Sequence, residues 1–576
     1  MDTEGGSVIN MKDKRKKGVL IAVVIAVFLV LVLTATALYK WLAPSSVQSD
    51  PNKIFELEAG QVAILADDVL LEERGLGIEG QTYVPASVAS KYMDQRVYVD
   101  TAENILSYAT GKGVIQAKAD SKAFTLGKEK EEVEQPILRK QGKDLYVSLA
   151  FLGEHASCYF KEYKNPSRLI IMSDREKTYT FATLTEDTRV RTGPGKKYPY
   201  LVEVPKENRI IIETEKKQEN EYMAVTTEDG ITGYIPVDRI TGKKEEGWKL
   251  EKTPESFEQK SLGKTVCLGW HQVTNEVSSA AVYSGVSQAT GLNVISPTFF
   301  ALKDNKGNFS SLANTTYVND AHAAGVQVWG LINDFKEGLD LEKILGTTST
   351  RTKLVNALVG TAIQYDLDGI NVDFEKITAK SAPAYLEFLR ELTLKSHVND
   401  LIVSVDNYPP ASYNAYYDIE EQGRIVDYVI LMAYDEHYSG SEESGSVSSL
   451  GYVKNGTASV LTKAPKERVI TALPFYTRIW KEEKGKKPVP TAYGMSGAES
   501  VIRAHGASAK WDDATGQYYA QYKENGATYK VWLEEETSLK KKLEVVMKQD
   551  VAGVAFWKLG FERAATWSMI AGELKK

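Results

Sequence analysis

The chain has 576 residues, 43% of them hydrophobic and 26% charged, with a formal net charge of −7. That composition is ordinary for a globular protein, and the length calls for several domains. An acidic balance with no basic stripe beyond the N-terminal tail argues against a nucleic-acid partner. The tail, residues 1–17, carries Lys12, Lys14, Arg15, Lys16 and Lys17, and an uncharged, mostly apolar run follows over 18–39. About 20 such residues span a bilayer. The basic cluster predicts a single-pass transmembrane helix with a cytoplasmic N-terminus and everything after about Trp41 outside the membrane. Ala35-Thr36-Ala37 offers an A-x-A cleavage site, so secretion after signal cleavage is the alternative.

Residues 42–52 read as a linker, and an internal repeat follows over 53–174. One unit begins at Gln81-Thr82-Tyr83-Val84-Pro85 and the second at Asp144-Leu145-Tyr146-Val147-Ser148; each reads strand, short helix, strand, strand. The pair resembles the copper amine oxidase N-terminal-like repeats of bacterial surface proteins. Copper itself is not expected, because the region holds only His155. Over 178–242, Val190–Gly195 and Asp229–Pro236 bracket short alternating strands and Gly/Pro turns, which suggests a small β-barrel. That stretch resembles bacterial Src-homology-3-like (SH3) domains, which implies contact with cell-wall peptides; a purely structural spacer is the alternative.

From about Leu262 strands alternate with helical stretches: Thr265–Gly269, Leu292–Phe299, Gln327–Ile332, Gly369–Phe374, Leu401–Asp406, Tyr428–Tyr434, Val469–Leu473 and Val551–Trp557. Eight strands with helices between them predict an α/β fold, a (β/α)8 TIM barrel over 262–576. The surplus over the usual length of about 250 residues fits a small α+β insertion between strands seven and eight, at about 481–540.

The most informative residues are Asp368-Gly369-Ile370-Asn371-Val372-Asp373-Phe374-Glu375. Side chains alternate along a strand, so Ile370, Val372 and Phe374 share one face and Asn371, Asp373 and Glu375 the other. An amide and two carboxyls ending in Glu, at the C-terminal end of a barrel strand, stand where these barrels place their chemistry. Trp270, Tyr408, Met432, Tyr434, Asp435, Tyr476, Arg478 and Trp557 fall at other strand ends. Aromatics at several successive strand ends suggest a floor on which sugar rings stack.

These residues closely resemble the D-x-x-D-x-D-x-E signature of glycoside hydrolase family 18, the chitinase and endo-N-acetylglucosaminidase family. Met432-Ala433-Tyr434-Asp435 is similar to its M-x-Y-D element, and Leu473–Trp480 to its P-x-Y-G-R-x-W element, with Thr477 where Gly is common. Trp557 matches the aromatic that floors the central sugar site. The set most resembles the branch of bacterial spore-cortex and germination glucosaminidases. The resemblance implies a retaining, substrate-assisted glycosidase, with Glu375 as general acid and base, Asp373 orienting the substrate acetamide and Tyr434 donating to its oxygen. Asp368 and Asn371 complete the signature, and Asp435, Met432, Tyr476, Arg478, Trp270 and Tyr408 join Trp557 as expected substrate contacts.

One position departs from the family. Asn371 replaces the middle Asp, and it is expected to donate a hydrogen bond to Asp373 without being able to take its proton. Asp373 beside Glu375 is expected to raise the Glu375 pKa. No cofactor or metal is expected: the nearest approach to a cluster, Asp435-Glu436-His437, puts adjacent residues on diverging directions. Cys158 and Cys267 are expected to be small buried hydrophobes. The expected partners are a glycan (peptidoglycan or spore cortex, with chitin second), the cell wall and the membrane. The competing classes are a glycan-binding protein without catalysis and a structural wall tether.

Overall fold

The computed structural model describes residues 9–50, 52–174, 176–247 and 255–575. Its first element is a 34-residue helix, α1 (Ile9–Leu42). From Arg15 onward no part of it is buried, and Val, Leu, Ile and Phe project on all sides. A helix apolar all round and unburied within the protein has the length and composition of a membrane span, and a signal sequence meets the same description. Residues 1–8 of the expected tail lie outside the described residues.

The chain forms two compact units with interleaved sequence. The first takes the chain up to Met93 and again from Leu152 to Thr253; the second takes Asp94–Phe151 and the chain from Pro254 on. The first unit contains strands Tyr159–Tyr163, Arg168–Met172, Gln61–Ala66, Val69–Ile78 and Gln81–Pro85, side by side in that order. It also contains a seven-stranded antiparallel sheet within 178–247, built on Leu184, Val190, Ile210, Val225 and Ile235. The strand, short helix, strand, strand order of each repeat is present, but the stretch 53–174 is divided between the two units rather than forming one body.

In the second unit eight strands are hydrogen-bonded in parallel: β1 (Val266–His271), β2 (Val294–Pro297), β3 (Gln327–Asn333), β4 (Gly369–Asp373), β5 (Ile402–Asn407), β6 (Tyr428–Met432), β7 (Val469–Pro474) and β8 (Gly553–Trp557). Pairing of β2 with β3 closes the circle, so all eight expected strands form a (β/α)8 barrel. Alternation along each strand makes two cores. Leu268, Trp270, Trp329, Leu331, Tyr428 and Ile430 fill the interior, where the Trp329 and Tyr428 rings stack at 5.5 Å. Ile370, Val372 and Phe374 face outward into the layer under the helices, with Phe374 stacked on Phe388 at 5.6 Å. Cys267 is buried on β1, whereas Cys158 is only half-buried.

After β7 the chain makes a five-stranded antiparallel sheet (Tyr476–Glu482, Val489–Gly494, Lys510–Asp512, Gln517–Glu524, Ala527–Leu533). Helix Met495–Ala504 covers one face, its Ile502 clustering with Ile479, Ala520 and Val531 of the sheet.

The same unit holds a five-stranded antiparallel meander between Tyr98 and Glu132. It is tied to barrel helices α2 (Thr348–Gln364) and α3 (Ala382–His397). Thr347, at the N-cap of α2, makes no side-chain capping bond. Asp100 and Glu103 of the meander supply it instead, accepting from Thr348 N at 2.7 Å and Ser349 N at 2.9 Å, where carboxylates favour the helix dipole. Fully buried Arg351 of α2 donates to Glu391 on α3 at 2.9 Å, to the Leu345 carbonyl at 2.7 Å and to Ser107 of the meander at 3.1 Å.

Candidate active site

Strand β4 ends at Asp373, and Glu375 is the second residue beyond it. The backbone there is fixed by Asp334, a fully buried residue just past β3. Its two carboxylate oxygens accept from Glu375 N at 3.0 Å and Lys376 N at 2.9 Å. The Glu375 carboxylate accepts a hydrogen bond from the hydroxyl of Tyr408, in the loop after β5. Burial pushes the Glu375 pKa above the usual carboxylate range, Tyr408 works against that, and the nearby charges of Asp334 and Asp435 add to it. The rise is as expected, but its leading cause is burial rather than Asp373. Glu375 is only partly buried and reaches solvent.

Below it, inside the barrel, Asn371 is completely enclosed. Its Oδ1 accepts from Trp270 Nε1 at 2.9 Å and from Ser296 Oγ at 3.1 Å. Its Nδ2 donates to Ser404 Oγ at 3.0 Å and Asp406 Oδ1 at 2.9 Å. Both amide hydrogens therefore go to β5, and the expected bond from Asn371 to Asp373 is not made. The expectation followed the chain along β4; the partner comes from the neighbouring strand. Asp373 is 6% exposed, and its Oδ1 is buried without a hydrogen-bond partner. Burial, then Asp406, then Glu375 and Asp334 push its pKa well above the carboxylate range. Asp406 is pushed well up too, by burial and by Glu375.

The other wall is built from β6 and from the chain beyond β7. Asp435 has a left-handed backbone (φ 56°), a conformation Asp tolerates. Its Oδ1 accepts from Tyr476 OH at 2.6 Å and Arg478 Nη2 at 2.8 Å. The Tyr434 and Tyr476 rings meet edge-on at 6.3 Å. Burial holds the Tyr434 hydroxyl protonated, and the charges of Asp406, Asp373 and Glu375 act in the same direction. Trp557, partly exposed at the end of β8, lies 6.0 Å from Trp270.

Glu375, Asp373, Asn371, Tyr408, Tyr434, Asp435, Tyr476, Arg478 and Trp557 are thus connected at one end of the barrel. Asp368 is not among them. It precedes β4, at the opposite end of the strand, where its carboxylate meets His322 Nε2 at 2.8 Å and Val328 N at 2.7 Å. Trp270, expected to touch substrate, is 1% exposed; it belongs to the barrel interior and offers no open face. Met432 is likewise buried at the end of β6. Two carboxyls that the sequence did not single out, Asp334 and Asp406, hold central places. Both lie at the C-terminal ends of predicted strands, which was the available signal. Among the described residues no group of three or more His, Cys, Asp or Glu side chains could hold a metal ion.

Residues 267–562, about half the chain, match the model of glycosyl hydrolases family 18. The cortical fragment-lytic enzyme of Bacillus subtilis is 26% identical over 240 residues, covering 40% of this chain and 55% of its own length. That of Bacillus anthracis is 24% identical over 234 residues, covering 39% and 54%. The chain thus spans about half the length of these curated relatives. Among solved structures, the spore cortex-lytic enzyme SleL of Bacillus cereus superposes with a TM-score of 0.48 at 21% identity, covering 58% of this chain and 78% of that one.

Proposed function

The chain belongs to glycosyl hydrolases family 18, and from that premise we propose that it hydrolyses β-linked glycan containing N-acetylglucosamine, with retention of configuration and with the substrate's acetamide as nucleophile. Glu375 protonates the glycosidic oxygen as the acetamido oxygen attacks the anomeric carbon. An oxazoline-type ring forms, and the alcohol leaves with the proton. Glu375 then takes a proton from the incoming water, which opens the ring. Asp373 orients the acetamide N–H and balances the charge that grows on it. Tyr434, held protonated, donates to the acetamide oxygen, and Trp557 offers a face for the sugar ring. The observation that carries this reading is the setting of Glu375. Its backbone is held by Asp334 and its carboxylate by Tyr408, its pKa is raised by burial, and it still opens to solvent.

The named relatives act on spore cortex fragments, which favours peptidoglycan-type glycan over chitin as substrate. The apolar helix α1 tethers the enzyme to the outer face of the membrane, or directs its secretion, and the β-rich first unit contacts the wall. The test uses the full-length protein in mild detergent with N-acetyl-chitooligosaccharides and with purified sacculi, products being read by mass spectrometry. Glu375→Gln is expected to cut product formation by about 10²- to 10⁴-fold, the usual share of a general acid. Absence of product from both substrates with binding retained would make the protein a lectin instead. Undiminished product from Glu375→Gln would defeat the assigned mechanism.

A further inference from the structure

We propose that Asp406, on β5, shares one proton with Asp373 and thereby sets the charge and orientation of that carboxyl, an assignment that rests on the glycosidase reading for its catalytic consequence. In this role Asp406 is a positioning residue. It supplies from the neighbouring strand the carboxyl that Asn371 cannot.

The geometry points to this pairing in three ways. Strands β4 and β5 are in parallel register with Asn371 opposite Ser404 and Val372 opposite Val405. The next step in that register puts Asp406 beside Asp373, both on the inward-facing parity shared by Asn371 and Ser404. Second, the hydrogen bonds leave an oxygen of Asp373 unmet. Asn371 spends both amide hydrogens on Ser404 and Asp406, so it offers none to Asp373, whose Oδ1 is enclosed and unpaired. A proton on Asp406 is available to close that gap, and Asn371, donating to the other oxygen, fixes which way it faces.

Third, the surroundings oppose two charges. Asp373 and Asp406 are 6% and 3% exposed. Carboxyls also stand on the flanking elements: Asp334 after β3, Glu375 after β4 and Asp435 after β6. The phenols of Tyr385, Tyr408, Tyr434 and Tyr476 stand nearby, with Trp270 and Trp557. Arg478 is engaged by Asp435, and Lys376 turns outward to the Phe335 and Lys336 carbonyls. With no cation facing them among the described residues, two adjacent buried carboxyls hold one proton between them. Burial raises both, with Asp406 adding to the rise at Asp373 and Glu375 to the rise at Asp406.

The test compares the wild type, Asp406→Asn and the exchange variant Asn371→Asp/Asp406→Asn, all as full-length protein in detergent. Asn at 406 keeps an oxygen for Asn371 and a permanent donor for Asp373, so it mimics the shared-proton state without being able to release the proton. Urea unfolding between pH 5 and 8 reads the proton directly, without reference to activity. A carboxyl raised by folding makes the folded state less favoured as pH rises through its titration, by tenfold per pH unit for each proton released. Asp406→Asn is expected to lose one proton's share of that slope, and the exchange variant to regain it. On 4-methylumbelliferyl N,N′-diacetylchitobioside, Asp406→Asn is expected to lower kcat more than tenfold with KM within threefold. The acid limb of its profile moves to lower pH, because Asp373 has lost its repelling neighbour. The exchange variant is expected to recover most of kcat. A wild-type slope and acid limb in Asp406→Asn would overturn the proposal, as would failure of the exchange variant to regain the slope. Should Asp406→Asn fail to fold, titration of aspartate 13Cγ resonances in the wild type decides. Two buried aspartates titrating together support the pair, and two independent titrations below pH 5 refute it. Absence of turnover by the wild type would defeat the glycosidase reading while leaving the slope measurement to judge the pairing alone.

Discussion

Removing the Tyr408 hydroxyl tests the reading of Glu375 as the acid. Tyr408 donates to Glu375 Oε2, and this bond is what opposes the upward push of burial on that carboxyl. A hydrogen bond to a charged group contributes about 1.5–3 kcal/mol, and one pKa unit corresponds to about 1.4 kcal/mol. Glu375 is only partly buried, so water replaces some of the lost bond and the lower end applies. Tyr408→Phe is therefore expected to raise the Glu375 pKa by about one unit. The assay is the pH profile of kcat/KM for 4-methylumbelliferyl N,N′-diacetylchitobioside. The basic limb, which marks loss of the acid's proton, should move up by about one pH unit. Stability carries the same sign. The folded pKa already lies above the unfolded value, so this group's favourable contribution is complete below the unfolded pKa and lost as pH rises through the folded one. Tyr408→Phe moves that loss to higher pH and deepens the deficit above it by about 1.4 kcal/mol. A basic limb that stays in place or moves down would refute the assignment of Glu375 as the proton donor.

Asp334→Asn should act in the opposite direction. It removes a neighbouring charge, so the Glu375 pKa falls and the basic limb moves to lower pH. It also gives up one of the two backbone bonds at Glu375 and Lys376, lowering stability in urea by about 1–3 kcal/mol. Arg351→Met leaves Glu391 buried without its cation and Ser107 and the Leu345 carbonyl without their donor. The expected loss is about 3–5 kcal/mol by urea unfolding, and a second change, Glu391→Leu, should recover a large part of it. A loss under about 1 kcal/mol would show that Arg351 does not hold α2 to α3 and to the meander.

The barrel was legible because each strand announced itself by a short apolar run and β4 by its alternation. Ile370, Val372 and Phe374 went outward and Asn371 and Asp373 inward, as period two demands. The same reasoning could have placed Asp368 correctly. It stands ahead of β4, so it lies at the far end of the barrel however well it fits a motif. What alternation could not show was who faces Asn371. Its partners, Ser404 and Asp406, come from a strand more than thirty positions later, and only the inter-strand register brings them together. Trp270 misled for a related reason. Aromatic character at a strand end does not tell whether the ring lies open at the mouth or is sealed beneath another, as Trp270 is beneath Trp557. Tyr408 was placed near the chemistry, but its bond to Glu375 depends on a loop conformation that no local pattern encodes. The division of 53–174 was invisible because each repeat folds its own local elements normally, and only long-range packing assigns them to different bodies.

That division bears on how such a hydrolase can be trimmed or shuffled. A fragment cut to the family boundary at residue 267 would carry every residue of the candidate site. Yet it would discard Asp100 and Glu103, which satisfy the start of α2, and Ser107, which receives Arg351. Such a fragment would expose a charged, donor-rich scar on the flank of the barrel. The compact unit that holds the barrel is therefore discontinuous in sequence, and any recombination that moves it intact must take the passage from Asp94 to Phe151 along with it.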